Sequence, residues 1–260
     1  MPDGVTPDGV RWVDSHCHLQ LAGGDEHVAR AQAAGVEWMV CVGTDLETSQ
    51  AALTLADRHP DVYAAVGLHP HDASKFPIEW EMLEPLAVSD ECLAIGECGF
   101  DLFYEHSPRD EQESAFRFQI RLAKHAGKPL VIHSRDAWDD TFRVLDDEGV
   151  PERTIFHCFT GGPDEAALAL ARGCYLSFSG IVSFKNAEEL REAARRAPAD
   201  RILVETDSPF LTPEPFRGTP NEPALVVAVG AALARARGVE PAEIAATTRA
   251  NAMRAFGVDR

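Results

Sequence analysis

The sequence predicts a (β/α)8 barrel, a TIM barrel built as one domain over residues 1–260. Three observations predict it. Short apolar runs recur eight times along the chain, amphipathic stretches separate them, and polar residues capable of chemistry close one run after another. The runs are apolar almost throughout, as strands buried on both faces are, which argues for a parallel sheet covered by helices. Eight such strands close a barrel. A doubly wound open sheet fits less well, because no glycine-rich phosphate turn follows the first run.

The first run, "RWVDSH" (11–16), leads through "VDSHCHLQ" (13–20). In a strand, residues i and i+2 share a face and i+1 takes the other, so Asp14, His16 and His18 are expected together with Cys17 opposite. Zinc-finger spacings leave two to five residues between ligands so that a loop can wrap the ion, and His16-Cys17-His18 does not fit that pattern. Seven more runs follow: "EWMVCVG" (37–43), "VYAAVGLH" (62–69), "CLAIGECG" (92–99), "PLVIHS" (129–134), "TIFHCF" (154–159), "YLSFSG" (175–180) and "RILVETD" (201–207). Between them, "DEQESAFRFQIRLAKHAG" and "PDEAALALARG" place apolar residues three and four apart and end in glycine, a common helix stop. The segments "NEPALVVAVGAALARARG" and "EPAEIAATTRANAMRAFG" add two closing helices.

Composition narrows the class. With 45% hydrophobic and 25% charged residues, the 260-residue chain reads as an ordinary soluble globular protein. "MPDGVTPDGV" has neither the basic start nor the apolar core of a signal peptide. The apolar run "ALVVAVGAALA" (224–234) is too short to span a bilayer and reads as a buried helix, so no membrane is expected. Six cysteines and no secretion signal argue for reduced thiols in the cytoplasm. Cys17, Cys98 and Cys158, each beside a His or Glu, are expected to point outward against helices as small apolar groups. A net charge of −18 excludes a nonspecific nucleic-acid sleeve; an anionic substrate would need a local cationic centre, which bound metal ions could supply.

The run ends carry the informative residues. Asp14, His16 and His18 end the first, His69 the third, Glu97 the fourth, His133 the fifth, His157 the sixth, and Glu205 and Asp207 the eighth; the seventh ends in Ser177 and Ser179. A barrel collects all these ends on one rim, where barrel active sites lie. Four histidines and two carboxylates converging there resist explanation as core, because each unpaired polar group costs desolvation. Six candidate ligands (His16, His18, Glu97, His133, His157 and Asp207) exceed what one open site needs. A pair of ions sharing a carboxylate uses them well. A modified lysine could bridge such a pair, but Lys75, Lys124, Lys128 and Lys185 all stand away from the C-terminal run ends, so Glu97 is the candidate bridge. His16, His18 and Asp207 would complete one ion, and His133 and His157 the other.

The motifs "DSHCHL", "GLHPH", "IGECGFD", "VIHSRDA", "FHCFTG" and "ETDSPFLTP", followed by "RGTPNEP", run in order from about Val13 to Gly257. On these residues the chain resembles the TatD-type metal-dependent deoxyribonucleases, a branch of the amidohydrolase superfamily. The resemblance implies a (β/α)8 barrel, divalent-metal dependence and phosphodiester hydrolysis, and its ligands fall on the same six residues. It points to Mg, whereas imidazole with carboxylate suits Zn, Mn, Ni or Fe. Thr219 stands where the family often has a basic residue, and Phe210 where Tyr is common, so substrate contacts beyond the metals can differ.

The expected reaction is attack on phosphorus by a water held between two divalent ions. Asp207 is the expected general base. Glu205, two residues deeper, would orient a ligand histidine, with a buried ion pair to arginine as the alternative. Arg135 would fork onto a phosphate or form a surface ion pair. His69 would donate a proton or hydrogen-bond a phosphate oxygen, or else cap the "HPH" turn. DNA is the expected substrate, as single strands or ends, with a monomer favoured. The rival enzyme is an amidohydrolase, lactonase or phosphotriesterase acting on a small molecule, since the same metals activate water for any of these. A non-catalytic metal-binding or partner-binding barrel is a further alternative.

Overall fold

Every apolar run forms a strand and the amphipathic stretches between them form helices, in a computed structural model that describes residues 9–259. The opening stretch read as unlike a signal peptide lies largely outside the described residues. The strands are β1 (Trp12–Cys17), β2 (Val36–Val42), β3 (Val62–Val66), β4 (Cys92–Asp101), β5 (Leu130–Arg135), β6 (Thr154–Phe156), β7 (Tyr175–Phe178) and β8 (Ile202–Val204). The helices are α1 (Asp25–Ala33), α2 (Leu46–Arg58), α3 (Phe76–Val88), α4 (Arg109–Ala126), α5 (Trp138–Glu148), α6 (Pro163–Ala171), α7 (Glu188–Arg196), α8 (Val226–Arg237) and α9 (Pro241–Phe256). All neighbouring strands pair in parallel in the order β1 to β8. Side chains and backbone close the seam between the first strand and the last. The Asp14 carboxylate accepts from Thr206 N (2.8 Å) and Oγ1 (2.6 Å), Ser15 Oγ donates to Val204 O (3.0 Å), and Asp207 N donates to His16 O (3.0 Å). Burial raises the Asp14 carboxyl to about 8.

Local chemistry ends the helices where the sequence signals it. The α4 helix stops at Gly127, whose φ of 64° is left-handed, and α2 starts at Asp45, whose side chain accepts from Thr48 N at 3.0 Å. The apolar run at 224–234 becomes α8, which buries Val226, Val229 and Leu233. No helix among the described residues is long and apolar enough to cross a membrane.

Two apolar cores follow from the strand alternation. Outward residues such as Met39, Cys41, Ile132 and Phe156 pack against the surrounding helices. Inward residues Val13, Val40, Ala94, Val131, Ile155 and Leu203 fill the barrel, and Ala252, Ala255 and Phe256 of α9 plug its base. The polar ends of the strands stand above this plug.

Candidate metal centre and active site

Strict alternation places part of the site. Two residues beyond the inward Val131, Ile155 and Leu203 come His133, His157 and Glu205, all on the inner face. The strands β6 and β8 are shorter than their apolar runs, so His157, Glu205 and Asp207 sit on the segments that follow them.

In β1 and β4 alternation alone would misplace the ligands. Between Asp14 and Cys17, three steps along β1 match two along β2, from Met39 to Cys41. This irregularity turns both Ser15 and His16 inward: Ser15 Oγ meets Ser177 Oγ at 2.8 Å, and His16 Nε2 meets Glu97 Oε2 at 3.3 Å. Cys17 then faces outward, its thiol donating to Val40 O at 3.3 Å, and His18 faces in again. The same offset occurs in β4, where Ile95 to Cys98 matches Leu130 to Ile132 of β5. Glu97 thereby takes the inner face that Ala94 holds three residues earlier. Gly96 permits the close approach of the two strands: its φ is +132°, and a Cβ there would lie 2.5 Å from Val131 O.

Glu97 is the hub. Its Oε2 lies 3.3 Å from His16 Nε2 and 3.8 Å from His18 Nε2; its Oε1 lies 3.0 Å from His133 Nδ1, 2.6 Å from His157 Nε2 and 3.3 Å from His69 Nε2. Asp207 Oδ1 stands 3.5 Å from His18 Nε2 and 3.8 Å from His16 Nε2. Burial disfavours charge on Glu97, but His157 and His69 and the hydrogen bonds from His133 and His157 hold its carboxyl well below the usual range. Burial likewise opposes charge on His157, yet Glu97 and Glu205 lift it well above its ordinary value. His16 goes the other way, lowered by burial and by the charge of His157, on which it stacks at 3.9 Å.

The donor set suits divalent cations. His18 Nδ1 donates to Val42 O (2.8 Å), His133 Nε2 faces Asp101 Oδ2 (3.2 Å), and His157 Nδ1 faces Glu205 Oε1 (3.3 Å). With a cation bound, each anchored nitrogen would keep its proton and leave the lone pair of the other, on the side of Glu97 or Asp207, for the ion. The Nε2 atoms of His16 and His18 face each other at 3.3 Å, an arrangement a shared cation satisfies. Three groups bring donor atoms within 4.8 Å of one another: His16 with His18 and Asp207, His16 with Glu97 and His157, and His69 with Glu97 and His133, the last needing His69 Nε2 to give up its proton before it could bind an ion. Glu205 is fully buried, accepts from Cys158 N at 2.8 Å and keeps Oε2 without a partner; it pairs with His157 rather than with an arginine.

The remaining candidates surround a cleft of about 730 Å³ above this cluster. His69 does cap its turn, Nδ1 accepting from His71 N at 3.0 Å, and burial lowers it to about 4, so Nε2–H stays available beside Glu97. Arg135 makes no ion pair among the described residues and lies over the rings of Phe103 (4.1 Å) and Tyr104 (4.6 Å).

Two expectations are corrected. Asp14 does not share the inner face with His16 and His18: it precedes the offset in β1, between the inward Val13 and Ser15, and its carboxylate turns to Thr206. Cys17 and Cys98 pack outward, but Cys158 lines the cleft, with Sγ 3.2 Å from Ser179 Oγ. The reason is that β6 ends at Phe156, and a φ of 39° at Cys158 breaks the alternation assumed for it. Asp101 and His71 were not singled out from the sequence. Asp101 Oδ2 faces both His133 Nε2 and His71 Nε2 (2.9 Å), and the available signals were the last residues of "IGECGFD" and "GLHPH".

A (β/α)8 barrel whose C-terminal rim gathers imidazoles and carboxylates around one buried glutamate defines a metal-dependent hydrolase of the barrel type. The chain belongs to the TatD related DNase family, whose pattern it matches over residues 13–257. It is similar to the uncharacterized metal-dependent hydrolase YabD of Bacillus subtilis, 40% identical over 254 residues that cover 95% of this chain and 99% of that one. It is also similar to the 3'-5' ssDNA/RNA exonuclease TatD of Cronobacter sakazakii, 41% identical over 240 residues that cover 89% and 91% respectively. Among solved structures, the TatD homolog YJJV from Escherichia coli superposes with a TM-score of 0.90 at 30% identity, covering 96% of this chain and 99% of that one.

Proposed function

We propose that this single-domain chain hydrolyses phosphodiester bonds at the ends of single-stranded DNA, using two divalent cations. One observation carries the reading: the two oxygens of Glu97 face different sets of imidazoles, as a bridging carboxylate's would. His16, His18 and Asp207 would hold one ion, and His133 and His157 the other. Cations there, Mg, Zn or Mn, would supply Lewis acidity that lowers the pKa of water and neutralises the phosphate. Asp207 takes the proton of the attacking water. Glu205 and Asp101 hold His157 and His133 with their lone pairs turned inward. Arg135 hydrogen-bonds a phosphate oxygen from the cleft wall, and the neutral His69 does so from Nε2. The names of the relatives support nucleic acid as substrate, and six free thiols fit work in the reducing cytoplasm.

The test is turnover across metals and substrates, with metal content measured on the same preparation. Single-stranded DNA, duplex DNA, RNA, a lactone and an amide form the substrate series. Release of mononucleotides from single strands, with two metal equivalents bound, is the expected result. Faster turnover of the lactone or amide would replace this reading with small-molecule hydrolysis.

A further inference from the structure

The mouth of the cleft is aromatic. Among the described residues, the exposed Phe, Tyr and Trp side chains are Phe103, Tyr104 and Phe210, and all three stand there. Phe103 and Tyr104 sit at 4.8 Å with their rings perpendicular, and the Arg135 guanidinium lies over both. The loop carrying them is fastened to the metal centre: Asp101 Oδ1 accepts from Phe103 N (3.1 Å) and Tyr104 N (2.9 Å), while Asp101 Oδ2 faces His133. Across the cleft, Phe210 meets His18 edge-on at 6.1 Å, and its carbonyl accepts from Asn221 Nδ2. Arg135 is the one Lys or Arg side chain lining the cleft among the described residues. Away from the metal centre, Arg135 is then the one side-chain cation in the cleft for a phosphate, and the net charge of −18 adds no general attraction for a polyanion.

We propose that Phe103, Tyr104 and Phe210 form a base-stacking subsite that grips the unpaired terminal nucleobases. This rests on the nuclease reading above and names the feature of the substrate that the site selects. Every nucleobase offers a π face, so such a subsite is tolerant of sequence but demands that the base be unstacked and unpaired. Arg135 adds cation–π attraction and, with the phosphate between it and the metal centre, sets how far the end enters. Strand selectivity then arises at the mouth, and the metal centre itself is indifferent to it.

The test compares an oligothymidine with the same oligomer lacking its two 3'-terminal bases, in both equilibrium binding and hydrolysis. Wild type should bind the intact oligomer about five- to hundredfold more tightly, the scale of base–aromatic stacking. Phe103→Ala/Tyr104→Ala and Phe210→Ala should each erase most of that preference, and Phe210→Trp should restore it. These side chains are exposed, so folding is not at stake, and metal content checks that the centre is intact. Hydrolysis with no base preference, or alanine variants that keep the preference, would overturn the subsite and leave the nuclease reading standing. Base-dependent binding with no hydrolysis would uphold the subsite and overturn the nuclease reading.

Discussion

Asp207 and Glu205 are two residues apart and stand in different surroundings. Asp207 reaches the cleft from a left-handed backbone position (φ 54°) beside His16 and His18, whereas Glu205 is wholly buried behind His157. Asp207→Asn should keep the fold and much of the metal, and lose roughly 10²-fold in kcat at saturating metal, as removal of a general base does. Near-normal turnover would move the base role to another group. Glu205→Gln keeps the volume but withdraws the negative acceptor from His157, so metal affinity should fall about 10- to 100-fold, measured by competition with a chelator. Unchanged affinity would reduce Glu205 to a packing role. Cys17→Ala and Cys98→Ala should lower the melting temperature while metal content stays at wild-type level, because both thiols point away from the centre.

At the scale of elements, α4 and α5 are joined by a network of charges. Glu113 accepts from Arg143 (2.6 Å) and Arg117 (2.9 Å), and Glu148 accepts from Arg117 (2.9 Å) and Arg121 (2.7 Å). Hydrogen bonds from Arg143 lower Glu113 to about 2, and those from Arg121 lower Glu148 to about 2. A carboxyl depressed in the fold contributes stability that is complete above its unfolded value near 4.5 and is lost as the pH falls toward 2. Solvent screens these groups, so Glu113→Gln should lower the melting temperature by only about 2 °C at pH 7. As the pH falls from 4.5 toward 2 the difference should shrink to a small fraction of its neutral-pH size; one that stays undiminished would assign the effect to packing. The offsets in β1 and β4 belong to this scale too. They were not legible in the sequence, because a two-residue period carries no mark of where a strand gains a residue against its neighbour. "VDSHCHLQ" nonetheless paired His16 with His18 correctly, since the two-residue period holds from His16 to His18, whereas Asp14 lies before the offset.

For the whole molecule, charge sets how a polyanion is approached. A sleeve making 6–10 phosphate contacts loses about 10³–10⁵ in affinity between 50 and 200 mM salt. With one cation lining the cleft, binding of a short single strand should lose less than about fivefold over that range. A steep decline in a salt titration would reveal a basic surface contributing from outside the cleft.

The sequence by itself determined the eight-fold alternation, the helix stops and the rim residues, because buried parallel strands need apolar runs and polar groups survive only where a strand leaves the core. The six candidate ligands were therefore legible as a set. Only the tertiary structure decided which atoms meet. It put Glu97 at the hub through an offset against β5, turned Cys158 into the cleft where β6 ends early, tied Asp101 to His133, and brought Phe103, Tyr104 and Phe210 to one mouth. Each of those depends on register or backbone conformation between segments far apart in the chain, and a local pattern of residue types does not encode distances across a closed barrel.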